Sequence, residues 1–120
     1  MSNTLLIVDD SESIRELISS NLIDAGYKVI KAVNGQDGLD KLSPEIKLVV
    51  TDLNMPIMDG ITMVQNIRNN PSYKHMPIIM LTTESQLEKK NAARAAGATA
   101  WIVKPFDEEK LLSVVKKFVR

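Results

Sequence analysis

Five short apolar runs, alternating with segments of helical periodicity, constrain the fold of this chain more than any other feature. The runs cover residues 4–8, 27–33, 48–51, 77–81 and 100–103. Apolar runs of this length, bounded by turn residues, are typical of strands buried on both faces. Because a helical pattern follows each run, the alternation predicts a βα repeat, and therefore a parallel sheet covered on both faces.

The helical segments carry recognisable start and stop signals. The first is predicted to begin after a cap at Ser11 or Ser13 and to end at Gly26. The others are predicted at residues 36–42, from residue 61 to the Asn-Asn-Pro at 69–71, at about 87–96, and after a cap at Asp107. In the last helix the side chains predicted to face inward are Leu111, Leu112, Val115, Phe118 and Val119. The fourth is rich in alanine and poor in large apolar residues, which makes it the weakest packer and a candidate mobile element.

The rule that βαβ crossovers are right-handed leaves few topologies for five such units. We expect an α/β protein with a flavodoxin-like, doubly wound five-stranded parallel sheet in the order 2-1-3-4-5. A chain of 120 residues can bury a substantial core, so residues 1–120 are predicted to form one domain.

Composition excludes several functional classes. Fifteen basic and fifteen acidic side chains cancel, so no global charge favours binding to nucleic acid or to a membrane. The absence of cysteine excludes disulfides and thiolate metal sites, and it is compatible with a cytoplasmic location. The apolar run at residues 5–8 is too short for a signal-peptide core or a membrane span.

Polar side chains follow four of the five predicted strands, at the edge where open α/β sheets place their ligand sites. They are Asp9 and Asp10, Asp52, Thr82 and Lys104. Each alone has an ordinary role as a helix cap, a turn residue or a solvated side chain. Three adjacent carboxylates repel by roughly 4 kcal/mol per pair at an effective dielectric constant near 20. A bound cation relieves this, and an all-oxygen site favours Mg²⁺ before Mn²⁺ or Ca²⁺.

Carboxylate, divalent cation and lysine together fit phosphoryl transfer to an aspartate. Asp52 would attack, the cation and Lys104 would neutralise charge on the phosphoryl oxygens, and Thr82 would donate a hydrogen bond to one of them.

At this point the chain resembles the receiver domains of two-component response regulators, in particular the CheY-like single-domain type. The resemblance covers essentially the whole chain. The residues that carry it are the Asp9-Asp10 pair, Asp52, Asn54-Met55-Pro56, Asp59-Gly60, Thr82 and Lys104-Pro105-Phe106.

The resemblance implies a specific role for each site residue. A sensor histidine kinase would phosphorylate Asp52. Asp10, Asp52 and the backbone carbonyl of Asn54 would bind Mg²⁺ directly, and Asp9 would act through water. Lys104 would pair with the phosphoryl group, and its peptide bond to Pro105 would be cis.

The resemblance also implies a switch in which Thr82 moves toward the phosphoryl group and the aromatic residue on the fifth strand turns inward. That aromatic is Trp101, the single tryptophan of the chain, where the family more often has Tyr or Phe. Half-buried packing at the sheet edge is the alternative role for this side chain. The fourth helix, fifth strand and fifth helix would form the output surface, on which a partner would meet Lys90, Arg94 and Trp101.

Three further residues are expected to tune the lifetime of the phosphoryl group. Asn54 and Glu84 flank the path of an attacking water. Thr83 stands where the family usually has a smaller residue, so it would narrow that path.

Two other functions compete with the receiver. A haloacid dehalogenase-type phosphatase needs a second aspartate two residues after the nucleophile, where this chain has Asn54. A nucleotide- or flavin-binding module would need a glycine-rich phosphate loop after the first strand, where this chain has acids. We therefore expect a phosphorylation-controlled signalling switch that acts on no substrate but its own Asp52. Its partner would be a flagellar motor switch protein or, if the chain is a phosphorelay intermediate, a histidine phosphotransfer protein. A receiver trimmed from a longer regulator is the other alternative for the chain.

Overall fold

The computed structural model describes residues 3–83 and 88–119. The strands are β1 (Thr4–Val8), β2 (Lys28–Ala32), β3 (Ile46–Asp52), β4 (Ile78–Thr83) and β5 (Ala100–Lys104). The helices are α1 (Glu12–Asp24), α2 (Gly35–Asp40), α3 (Gly60–Asn69), α4 (Lys90–Ala96) and α5 (Glu108–Phe118). All neighbouring strands pair in parallel and their order is β2-β1-β3-β4-β5, which confirms the predicted flavodoxin-like sheet.

The sheet divides the core into two layers. One face packs against α1 and α5, through buried side chains such as Ile18, Leu22, Leu111 and Val115. The other face packs against α2, α3 and α4, with Met63 as a central buried residue. Within the described ranges, no helix combines the length and apolar character that crossing a membrane requires.

Several element boundaries differ from the predicted ones. β3 is longer, because Lys47 continues the strand with its side chain exposed and Asp52 is still paired with Leu81. β4 extends through Thr82 and Thr83, which pair with Val103 and Lys104. β2 and α2 are each shorter than predicted. At the end of α1 the cap is Ala25, and Gly26 follows it with a left-handed φ of 100°.

The predicted fourth helix includes two residues, 88 and 89, that precede the α-helix in the structure. α4 starts at Lys90, and residues 88 and 89 form a 3₁₀ turn before it. Residue 87, where the predicted helix begins, lies outside the described residues.

Two apolar side chains of the helical patterns are exposed. Phe118, predicted to face inward, is 37% exposed because it is the last residue of α5, where neighbouring elements cover it only in part. Leu17 is 52% exposed, because the buried stripe of α1 consists of Ile18, Ser19 and Leu22 and faces away from it. A polar residue, Ser19, thus occupies a buried position of this helix.

Candidate functional site

The ends of β1 and β3 bring three carboxylates together at one edge of the sheet. Carboxylate oxygens of Asp9, Asp10 and Asp52 all lie within 4.8 Å of one another. Parallel pairing explains the convergence, because Val8 lies opposite Thr51 and the acids are the next residues of the two strands. Asp10 is exposed, whereas Asp9 is buried and the side chain of Asp52 is 13% exposed.

Asp9 is fixed from three directions. Its Oδ1 accepts a hydrogen bond from the Ser11 amide at 2.9 Å, and its backbone carbonyl accepts one from Arg15 Nη1 at 2.7 Å. Its own amide donates to the Ala32 carbonyl at 3.1 Å. Burial raises the pKa of the Asp9 carboxyl above its usual range, the Ser11 amide opposes that rise, and the nearby charge of Asp52 adds to it.

Lys104 brings one positive charge to these acids from the end of β5. Its Nζ donates a hydrogen bond to Asp52 Oδ1 at 3.1 Å and lies 3.6 Å from Asp9 Oδ2. The Lys104 side chain is 19% exposed, so the ion pairs are only weakly screened by solvent. Its peptide bond to Pro105 is cis.

Backbone groups of the β3–α3 loop hold Asp52 in place. The Leu53 amide donates to Asp52 Oδ1 at 2.9 Å, and the Gly60 amide donates to the Leu53 carbonyl at 2.8 Å. A Cβ at position 60 would overlap the Asp52 carbonyl oxygen, so only glycine permits this close approach. Asp59 then caps α3, because its carboxylate accepts from the Thr62 amide at 2.8 Å.

The same loop contains a turn centred on Ile57. The Met58 amide donates to the Pro56 carbonyl at 2.7 Å across this residue, which has φ = 70° and is 84% exposed. A β-branched side chain is strained at positive φ. The loop therefore holds a conformation that Ile57 itself does not favour.

The structure places Thr82 and Thr83 at the end of β4, next to β5. Thr82 is 2% exposed, and its hydroxyl has no hydrogen-bond partner in the described part of the chain. Thr83 pairs in register with Lys104, and together with Ile14, Leu17 and Pro105 it lines an apolar groove of about 270 Å³. Glu84 lies outside the described residues.

The oxygen atoms at this edge fit a hard divalent cation. Three carboxylates and one ammonium leave a formal charge of −2, and Asp9 Oδ2 is a buried oxygen without a hydrogen-bond donor in the described segments. An open cavity of about 370 Å³ adjoins them, lined by Asp10, Asn54, Met55, Pro56 and Asp59. Magnesium is the ion that such an all-oxygen, solvent-accessible set of ligands favours.

Trp101 is half-buried on the sheet face that α4 covers. Lys90 Nζ lies 3.9 Å from the centre of its ring, and Arg94 Cζ lies 4.9 Å from it. Both cations of the predicted output surface therefore contact its aromatic residue, Trp101. His75 is exposed and lies in the turn that precedes β4.

Two contributors near the site, and one contact at the opposite edge of the sheet, were missed in the sequence. Arg15 binds the Asp9 carbonyl, and the steric need for glycine at position 60 arises only from the folded loop. Arg68 of α3 donates Nε to the Gly97 carbonyl at 2.9 Å and Nη1 to the carbonyls of Tyr73 and Lys74 at 3.3 and 3.1 Å. The helical spacing of Arg68 gave no signal for these contacts, because three of its acceptors are backbone oxygens, one of them 29 residues away.

Comparison with known proteins identifies this arrangement. The family model for the response regulator receiver domain matches residues 5–116. The chemotaxis protein CheY1 of Helicobacter pylori is 39% identical over 110 residues, which are 89% of this chain and 89% of that protein. The DNA-binding dual master transcriptional regulator RpaA of Synechocystis is 37% identical over 97% of this chain but only 48% of its own length.

A solved structure agrees with the sequence matches. The chemotaxis response regulator CheY4 of Vibrio cholerae superposes with a TM-score of 0.91 at 42% identity, covering 99% of this chain and 100% of that one. The chain belongs to the response regulator receiver domains of two-component signalling and is CheY-like in sequence and fold.

Proposed function

We propose that this receiver domain accepts a phosphoryl group from a sensor histidine kinase onto Asp52 and thereby changes its binding to a downstream protein. The observation that carries the proposal is the ammonium of Lys104 at 3.1 Å from Asp52 Oδ1, beside two further carboxylates at the same sheet edge. Asp52 Oδ attacks phosphorus, the bond from phosphorus to the donor's nitrogen breaks, and an acyl phosphate forms.

Each neighbouring group has a task in this step. Lys104 holds Asp52 in place and then pairs with a phosphoryl oxygen, while the buried Thr82 hydroxyl is available to donate a hydrogen bond. Asp10, Asp52 and the Asn54 carbonyl would hold Mg²⁺, with Asp9 acting through water. When bound, the cation supplies positive charge that stabilises the phosphoryl oxygens during transfer.

The apolar groove beside Lys104 supports a protein as the phosphoryl donor. Exposed Leu17 and partly buried Ile14 line it next to Pro105. A helix carrying the phosphohistidine would bury these side chains while presenting its phosphoryl group to Asp52.

The decisive experiment measures phosphoryl uptake from acetyl phosphate by intact mass, with Mg²⁺ and with a chelator. One phosphoryl group is expected on the wild-type chain with Mg²⁺, and none on Asp52→Asn or in the chelator. Asp40→Asn, which removes an exposed carboxylate of α2, is the matched control and should be phosphorylated normally. Uptake that survives in Asp52→Asn would exclude Asp52 as the acceptor.

The single tryptophan gives a second measurement on the same protein. Saturable quenching of Trp101 fluorescence by Mg²⁺, with a further change on addition of beryllofluoride, is expected in the wild type. Both changes should be lost in Asp52→Ala. A metal response without any response to beryllofluoride would contradict the coupling of Trp101 to the site.

The names of the relatives, chemotaxis proteins, favour a chemotaxis-type output. We propose that the chain acts in the cytoplasm on a motor switch protein, which binds the surface formed by Lys90, Arg94 and Trp101. Transfer of the phosphoryl group to a histidine phosphotransfer protein would instead assign the chain to a relay. Incubating the phosphorylated chain with such a protein and following the label distinguishes the two outputs.

Thr83 is proposed to slow loss of the phosphoryl group, together with Asn54 and Glu84. Thr83 pairs with Lys104 on the adjacent strand. This position supports the idea that its side chain obstructs a water molecule that approaches the phosphoryl group. Thr83→Ala should therefore lose its phosphoryl group faster than the wild type, and Thr83→Val, which keeps the bulk, should not. A phosphoryl group that lasts as long or longer on Thr83→Ala would show that the steric explanation is wrong.

A further inference from the structure

The two cations on Trp101 both come from one helix. Lys90 and Arg94 are four residues apart, so they lie on the same side of α4, one turn from each other. Trp101 belongs to β5, where it pairs with Met80 of β4. The two contacts therefore connect a helix to a strand across the boundary between separate elements.

Helix α4 has few other attachments to the sheet. It is seven residues long, only Ala93 among its side chains is buried, and no side chain caps its first turn. Its C-terminal end is held, because the Gly97 carbonyl accepts from Arg68 Nε at 2.9 Å. In its first turn, Lys90 makes a contact with Trp101 that attaches the helix to β5.

Neither cation has a carboxylate partner in the described part of the chain. The ion pairs found there are Lys31–Glu16, Lys41–Asp37 and those of Lys104. Instead, both positive groups lie over the electron-rich face of the indole. Lys90 Nζ and Arg94 Cζ are 3.9 and 4.9 Å from the centre of the Trp101 ring, which is within the range of a cation–π contact.

We propose that Lys90 and Arg94 form a cation clamp on Trp101, which holds α4 against β5 and opposes the conformational change triggered at Asp52. The clamp occurs in a conformation in which the buried Thr82 hydroxyl has no hydrogen-bond partner in the described segments. A rearrangement that engages Thr82 and moves Trp101 on the adjacent strand must break both cation–π contacts. Lys90 and Arg94 are thus positioning residues, which act on the site through Trp101. This inference on regulation rests on the proposed function.

The first test needs no phosphorylation and uses the Asp52→Asn variant as background. Lys90→Met and Arg94→Met should increase acrylamide quenching of Trp101 and hydrogen exchange of the α4 amides. Lys90→Arg should leave both values as they are with Lys90, because arginine keeps a positive charge over the ring. Lys89→Met is the matched control, since Lys89 is the adjacent exposed lysine and makes no contact with the ring among those found.

The second test measures affinity for beryllofluoride with Mg²⁺, in the chain with native Asp52. By linkage, a contact that favours one conformation weakens binding of a ligand that favours the other. Each Met variant should bind about two- to fivefold more tightly, the scale of one exposed cation–π contact. Lys89→Met should bind like the wild type. Far-UV circular dichroism establishes that every variant is folded.

The possible results separate the two proposals. If Lys90→Met behaves like Lys89→Met in quenching, exchange and affinity, the clamp is excluded even when Asp52 is phosphorylated normally. Weaker binding of beryllofluoride by the Met variants would also overturn the proposal, because the contacts would then favour the phosphorylated conformation. If the variants differ in quenching but no chain takes up a phosphoryl group, the proposed function fails and the regulatory role of the clamp fails with it, while the attachment of α4 to β5 through Trp101 stands.

Discussion

The carboxyl edge of the sheet has two sides that are built differently. The acid side, formed by β1, β3 and α3, holds Asp9 and Asp52 through backbone hydrogen bonds and ends in a well-packed helix. The response side, formed by β4, α4 and β5, holds Trp101 through two side-chain cations and leaves the Thr82 hydroxyl without a partner in the described segments.

The two helices show the difference most clearly. α3 has ten residues, a cap from Asp59, and buried Met63, Val64 and Ile67. α4 has seven residues and buries only Ala93. Local opening is easiest where few apolar contacts hold an element. We therefore expect α3 and the acid side to be rigid and α4 on the response side to open more easily.

The largest effect should come from weakening each helix in turn. Ile67→Ala removes a fully buried side chain of α3 and should lower the free energy of unfolding by about 2–5 kcal/mol. Ala93→Gly in α4 should cost about 1 kcal/mol, mainly through helix propensity. Urea unfolding measures both. If Ala93→Gly costs as much as Ile67→Ala, the two helices are equally integrated and the comparison is wrong.

Arg68 connects the two sides, so its removal tests whether they are mechanically linked. Arg68→Ala removes the guanidinium donor from the carbonyls of Tyr73, Lys74 and Gly97, of which Tyr73 still accepts from the Met76 amide, and should lower the free energy of unfolding by about 1–2 kcal/mol. The amides near residue 97 should also exchange faster. Lys74→Ala, an exposed neighbour, should have almost no effect, and equal effects of the two variants would contradict the role of Arg68.

Asp9 should make the acid side dependent on pH when no divalent cation is present. Its pKa is raised by burial, so between the unfolded value near 3.8 and the raised folded value the native state binds more protons. Stability should therefore fall as pH increases through that window. Asp9→Asn should remove this fall. It should also raise the free energy of unfolding by roughly 1 kcal/mol at neutral pH, which is the cost of burying an oxygen without a hydrogen-bond donor.

Urea titrations from pH 3.5 to pH 8 in a chelator would measure this dependence. Asp40→Asn, an exposed carboxylate, serves as the control. An Asp9→Asn variant that keeps the full pH dependence would assign the effect to another group.

The smallest effect is expected in the β3–α3 loop. Ile57→Gly relieves the strain of a β-branched residue at positive φ, although glycine also increases the entropy of the unfolded chain. Because the first effect is the larger, the variant should raise the free energy of unfolding by about 0.5–1 kcal/mol. Ile57→Asn, which also tolerates positive φ, should give part of that gain. The exchange of α4 amides should not change, because the loop belongs to the acid side. Destabilisation by glycine would show that the exposed isoleucine has a contact worth more than the strain.

Much of this organisation was predictable from the sequence, because local patterns determine it. The apolar runs predict the strands. The residue that follows each run predicts which side chain lies at the carboxyl edge of the sheet, as Asp52 illustrates. The strand order was predicted from a topological rule and precedent. Element ends were less predictable: pairing with β5 extends β4 through Thr83, and only the folded sheet supplies that partner.

Contacts between distant elements were not predictable from one sequence. The distance from Lys90 and Arg94 to the ring of Trp101 depends on how α4 lies on β5, and helical spacing alone does not determine it. The exposure of Leu17 and Phe118 has the same origin, because periodicity identifies an apolar stripe but not the extent to which neighbours cover it.

Arg68 has a consequence for how this domain can vary. Its closest acceptors are main-chain oxygens of Gly97, Tyr73 and Lys74, and every amino acid supplies such an oxygen. The residues of the segment from 71 to 76 can therefore be exchanged, in a designed variant or a natural one, without loss of the acceptor atoms. A new recognition sequence grafted into this segment would still supply the two main-chain oxygens, of residues 73 and 74, that Arg68 binds there.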